Sequence, residues 1–160
     1  MSMTLIQEQV LVASAASVVF GSIPQTYTDL MIEGFPVTTT PSNSSAQFML
    51  NGDSAANYSY AFLVGNGSAA SSSKAANIVR GILGDDSPTT DAPFTTHILS
   101  YSSSVFQKMS LSRGSSLGSL VGIWISRWNN TAPITSITIV EGNGSYQLAA
   151  GTRIRLWGIK

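Results

Sequence analysis

Hydrophobic and polar residues alternate with a period of two along nearly the whole chain, the repeat of a β-strand with one face buried. Tyr58, Tyr60, Phe62 and Val64 alternate with Ser59, Ala61 and Leu63, predicting a strand with one strongly aromatic face. In Leu120 to Ser126, Val121, Ile123 and Ile125 take one face and Leu120 and Trp124 the other. Apolar residues on both faces predict a central strand, or one whose second face another subunit covers. Thr152 to Ile159 points Ile154 and Leu156 inward and Arg153 and Arg155 outward. Trp157 shares the arginine face, which implies cover from another strand or subunit.

The same period predicts strands at Tyr27–Phe35, Ala46–Leu50, Asn77–Leu83, Pro93–Tyr101, Val105–Leu111 and Ile134–Val140. Thr4–Val12 and Ser17–Ile23, either side of Ser14-Ala15-Ala16, predict an N-terminal hairpin within 1–23 that packs on the rest of a single domain spanning 1–160. Asn143-Gly144 is a favoured type I′ turn pair. Arg113 to Gly118 reads as a Gly/Ser loop. Helix signals are nearly silent; only Ser71 to Arg80 could form a turn or two. About ten short strands joined by Gly/Ser/Asn turns predict an all-β, antiparallel β-sandwich of jelly-roll type.

Composition narrows the function classes. The 160 residues suffice for one sizeable core. Cysteine is absent, excluding disulfides, thiolate chemistry and cysteine-ligated metals. Eight basic and eight acidic side chains cancel, and the pI is about 6.5, whereas a phosphate-backbone binder needs a basic excess; nucleic acid is not an expected partner. Only 10% of residues are charged, while 26 Ser and 14 Thr supply the polar surface, as suits a protein packed into an assembly. No apolar run approaches the ~20 residues of a membrane span. Leu11 to Phe20 resembles a signal core, but Glu8 and no Lys or Arg precedes it, so no secretion signal is expected.

Several motifs suggest chemistry and fail on context. Gly114-Ser115-Ser116-Leu117-Gly118 fits the nucleophile-elbow pattern, but the elbow requires a following helix and a downstream histidine, and His97 lies upstream. Gly65-Asn66-Gly67-Ser68-Ala69-Ala70 fits the dinucleotide fingerprint, yet no helix opens after it; a hairpin turn explains its glycines and no cofactor is expected. Asp85, Asp86 and Asp91 cluster without calcium-loop spacing, so a solvated turn is expected and no metal. Asn51-Gly52-Asp53 is turn chemistry first. No catalytic residue is assigned, and the chain is not expected to be an enzyme.

Longer blocks carry a family resemblance: Leu5-Ile6-Gln7-Glu8, Phe20-Gly21-Ser22-Ile23-Pro24-Gln25-Thr26-Tyr27-Thr28-Asp29-Leu30, Phe48-Met49-Leu50-Asn51-Gly52-Asp53 with Asn57-Tyr58-Ser59-Tyr60, Gly65-Asn66-Gly67-Ser68, Ala132 to Ile139, and Ala150 through Trp157-Gly158-Ile159-Lys160. In these the chain resembles small virion structural proteins of tailed bacteriophages. The segment Ser71 to Asp91 matches least.

The resemblance implies a noncatalytic β-sandwich on a virion, made in the bacterial host cytoplasm. The expected role is a capsid decoration (cement) protein, a homotrimer on the shell exterior that bridges major capsid protein subunits. Compact single-domain length favours the capsid over the tail. The alternative is a tail or fibre module that binds a host glycan. Trp128, Arg127, Trp157, Phe35 and Asp53 are the candidate interface or glycan contacts, because a Trp beside an Arg suits stacking on a sugar or anchoring a subunit.

Overall fold

The structure, a computed structural model, describes residues 2–40, 44–86, 92–116 and 120–160. These residues form strands and no helix: β1 (Met3–Val10), β2 (Ser17–Phe20), β3 (Asp29–Phe35), β4 (Ser44–Leu50), β5 (Tyr58–Gly65), β6 (Ala70–Ile78), β7 (Gly81–Asp86), β8 (Phe94–Ile98), β9 (Lys108–Ser116), β10 (Leu120–Trp128), β11 (Ile137–Glu141) and β12 (Arg153–Ile159). They build two antiparallel sheets, one ordered β1-β12-β3-β8-β9-β10-β5-β6 and one ordered β2-β11-β4-β7.

Alternation decides which face each sheet buries. Leu30, Ile32, Phe94, Ile98, Ile154 and Leu156 of the larger sheet meet Phe20, Phe48, Leu50, Ile137 and Ile139 of the smaller one in a single core. Each fully buried side chain of this kind contributes about 1.5–3 kcal/mol. A second cluster of Val64, Ile82 and Trp124 lies where β7 packs over β10. The four-stranded sheet covers one side of the eight-stranded one, whose other side is the outer face.

The all-β, two-sheet antiparallel expectation holds; several details change. Among the described residues, twelve strands replace the expected ten or so. The N-terminal hairpin does not form: β1 pairs with β12 in the large sheet and β2 with β11 in the small one, so the chain crosses between layers. The helix signal over Ser71–Arg80 is overridden by pairing of β6 with β5 along its whole length. The strand expected at Asn77–Leu83 is broken, with Asn77 at φ 56° and a new strand starting at Gly81, where a Cβ would lie 2.4 Å from the Phe48 ring. The Arg113–Gly118 loop is a strand as far as Ser116. Gly114 fits there because a Cβ would stand 2.7 Å from the Pro93 carbonyl. Leu117 and Gly118 lie outside the described residues, as does Asp91. Of the Asn143-Gly144 pair only Gly144 has positive φ (76°), so the turn is not type I′.

Candidate interaction surface

Register across the large sheet fixes which side chains share its outer face. One row runs Leu5, Trp157, Met31, His97, Leu111, Ile125, Ala61, Lys74. The next runs Arg155, Glu33, Thr95, Arg113, Ile123, Leu63, Ser72. On β10 the inward residues Trp124, Ser126 and Trp128 are buried, while Val121 is 62% exposed and Ile123 49%. Leu63 on β5 is 56% exposed, and Met109 and Leu111 on β9 are also exposed. The predicted two-faced apolar strand is thus the central strand β10, with one face in the core and the other bare.

Toward one end of this face a shallow groove of about 660 Å³ is lined by Phe35, Leu63, Pro93, Arg113, Val121 and Ile123, among others. The charged part of the face, on β1, β12 and β3, reaches the groove through Glu33, which lines it together with Arg113. There Glu8 Oε1 accepts from Arg153 Nε and Arg155 Nε at 2.7 Å each, and Arg155 Nη1 reaches Glu33 Oε2 at 3.4 Å. The bond to Glu8 raises the Arg155 pKa further above its ordinary value.

The five candidates from the sequence separate. Phe35 is 38% exposed and walls the groove. Arg127 lies exposed on the same face, its Nε donating to Gln107 Oε1 at 2.6 Å. Trp157 is half-buried on that face, and its indole nitrogen is buried without a hydrogen-bond partner.

Trp128 and Asp53 are different: Trp128, a candidate surface contact, is buried in the free chain, while Asp53 stays half-buried. Trp128 is the last residue of β10, 2% exposed, and stacks on Tyr58 at 6.4 Å between centroids. Its Nε1 donates to Asp53 Oδ2 at 2.7 Å, and Asn57 Nδ2 donates to the same oxygen at 2.9 Å. Ala55 N donates to Asp53 Oδ1 at 2.9 Å. The bond from Asn57, aided by those from Trp128 and Ala55, holds the Asp53 carboxyl below its ordinary pKa. The turn reading of Asn51-Gly52-Asp53 is the right one. Asn51 (φ 52°) and Gly52 (φ 69°) are left-handed, and Asn51 Oδ1 accepts from Thr135 N and Ser136 N.

The remaining motifs also have structural occupations. Gly65-Asn66-Gly67-Ser68 is the β5–β6 turn: Asn66 Oδ1 accepts from Ser68 N and Ala69 N, and Gly67 has φ 83°. His97 Nε2 lies 3.0 Å from Asp29 Oδ2, while Asp29 Oδ1 accepts from Ser100 N. Along β9 the partner of His97 is Leu111, five residues before Ser116, or ~17 Å at 3.4 Å per residue, so the two do not form a nucleophile–base pair. Among the described residues no three His, Asp or Glu side chains group closely enough to hold a metal.

Sequence reasoning missed Leu63, Met109 and Leu111 as surface residues, and also the role of Lys108. The latter is 1% exposed, and its Nζ donates to the carbonyls of Ser103 (2.6 Å), Phe106 (2.7 Å) and Thr131 (3.0 Å). This fastens the loop before β9, which presents Val105 (72% exposed) and Phe106 (65%). Apolar residues at both parities of the period in β5 and β10 were the available signal for the bare face.

Compared with known proteins, the sequence matches no family model, and no curated protein matches it.

Proposed function

We propose that this chain is a structural protein of a phage virion, a noncatalytic capsid decoration protein that bridges major capsid protein subunits from the shell exterior as a homotrimer. The observation that carries the reading is the bare apolar outer face of the eight-stranded sheet in a chain with only 10% charged residues. Contiguous exposed apolar patches rimmed by polar residues mark contact sites. Burying a few hundred Å² of it per contact at ~25 cal/mol per Å² yields several kcal/mol, multiplied over a symmetric shell. The resemblance to tailed-phage virion proteins points the same way.

The strand orders support a jelly-roll reading of the fold. In that reading β1-β12-β3-β8 and β2-β11-β4-β7 serve as its two four-stranded sheets. The pairs β5–β6 and β9–β10 are then insertions that widen one sheet beyond β8. Insertions that enlarge a sheet and leave it bare outward suit a docking platform.

Of the candidate glycan contacts, Trp128 and Asp53 have their polar groups bonded to each other, which leaves Arg127, Trp157 and Phe35 for the glycan-binding alternative. Electron cryomicroscopy of the particles tests the proposal. Density for this chain at symmetric positions on the shell exterior is the expected result; density on the tail, or none, overturns it.

A further inference from the structure

The outer face is divided by charge. Strands β5, β6, β9 and β10 carry Lys74, Lys108, Arg113 and Arg127 and no Asp or Glu. Lys108 is turned into the protein, but the other three are exposed. Register places each of them on the outer face: Lys74 beside Ala61, Arg113 beside Ile123 and Arg127 beside Met109. None of the three has an ion-pair partner among the described residues. Arg113 Nε donates to the neutral Thr95 Oγ1 at 3.1 Å and Arg127 Nε to Gln107. Glu33, the carboxylate on the Arg113 row, lines the same groove from two strands away but is engaged by Arg155.

The side chains of Leu63, Met109, Leu111, Val121, Ile123 and Ile125 fill the space among these cations. All six are 42–62% exposed, so their apolar surface stands free for a partner to bury. We infer that this cation-rimmed apolar face docks a protein surface of complementary chemistry, an apolar centre flanked by carboxylates. The inference rests on the assembly role proposed above and identifies its contact face.

Charge selects among the occupants. A second copy docked through the same face would bring cations to cations, with no carboxylate on the four strands to answer them. An anionic bilayer would satisfy the cations, but the six apolar side chains among them include no Trp or Tyr, the residues that settle at a membrane interface. An acid-flanked protein surface satisfies both chemistries. The apolar centre then sets how long the complex lasts, while the cations speed association and give it a salt dependence.

The test uses the full chain and shells of the major capsid protein prepared from the same particles without this chain. Binding is followed by co-sedimentation and association kinetics, alongside self-association by analytical ultracentrifugation and flotation with phosphatidylcholine/phosphatidylserine vesicles. Ile123→Asp should weaken shell binding by at least about 50-fold. The pair Arg113→Glu, Arg127→Glu should slow association about tenfold and flatten its salt dependence. Val19→Asp, at an exposed position on β2 of the other sheet, should bind as the wild type does. All four substitutions lie at exposed positions, and unchanged thermal unfolding checks that the variants fold. Wild-type binding that both face variants retain overturns this inference and leaves the virion role standing. Failure of the wild type to bind shells overturns the virion role and the inference with it. Dimerisation abolished by Ile123→Asp, or vesicle binding abolished by the arginine reversals, overturns the inference in favour of a second copy or a lipid surface.

Discussion

The indole nitrogen of Trp128 donates to Asp53 Oδ2 at 2.7 Å, tying the end of β10 to the turn between β4 and β5 across 75 residues of sequence. Replacing the carboxylate by an amide keeps the shape but leaves one of Trp128, Asn57 and Ala55 without its acceptor. Asp53→Asn should therefore cost about 1–3 kcal/mol at neutral pH, read by urea denaturation. The folded-state pKa of Asp53 is lowered. Its contribution is thus fully present above the unfolded value, roughly pH 4, and fades as the pH falls through the folded value. The difference between wild type and Asp53→Asn should shrink at pH 3 relative to pH 7.

Tyr58 completes the same cluster. Its hydroxyl accepts from Leu50 N at 2.9 Å and donates to the Asp53 carbonyl at 3.1 Å, and its ring meets Phe48 edge-on at 6.2 Å. Tyr58→Phe preserves the packing but strands the buried Leu50 amide, a loss of about 1–3 kcal/mol. Burial pushes the Tyr58 pKa up to about 12. The stability tied to the neutral phenol is complete below pH ~10, the unfolded value, and declines as the pH rises toward 12. Alkaline unfolding followed by circular dichroism should be less steep in Tyr58→Phe than in the wild type.

Lys108 faces three carbonyls and no carboxylate, and burial lowers its pKa. Lys108→Met fills much the same volume but removes three charge-assisted donors. It should destabilise the protein by about 3 kcal/mol. Hydrogen exchange should show the loss of protection concentrated in residues 99–107 and around Thr131, with β1 and β12 unaffected.

The Glu8 ladder should matter far less, because its groups remain in contact with solvent. Glu8→Gln should lower the melting temperature by no more than about 3 °C, with the difference vanishing in 1 M salt. A drop well above 3 °C at low salt would mean that β1 is held by these ion pairs rather than by its backbone pairing with β12.

Strand positions were legible wherever one parity was apolar and the other polar. Ile154 and Leu156 against Arg153 and Arg155 is the clearest case, and the structure places all four as the alternation predicts. Layer assignment was not legible in the same way. Ser14-Ala15-Ala16 is as good a hairpin turn as many, and only the non-local pairings of β1 with β12 and β2 with β11 send the two strands to different sheets. Local sequence allowed a turn or two of helix at Ser71–Arg80, yet pairing with β5 satisfies the backbone there without any core-facing run of large residues. Trp128 misled because a Trp at a strand end beside Arg127 and two Asn looks exposed. Its partner Asp53 is distant in sequence, and its stacking on Tyr58 belongs to tertiary structure. The bare face was half legible: the two-faced pattern of β10 was visible, but the flat neighbours that extend it, Leu63 and Leu111, emerge only from register.

The central claim is that the outer face of β9, β10 and β5 is covered in the assembled particle. Carbene footprinting of side chains, run on intact virions and on the free chain, tests it most directly. The account predicts that labelling of Leu63, Val121 and Ile123 falls several-fold in the particle while Val19 on the opposite sheet keeps its label. Equal labelling of Ile123 in the particle and the free chain would contradict it.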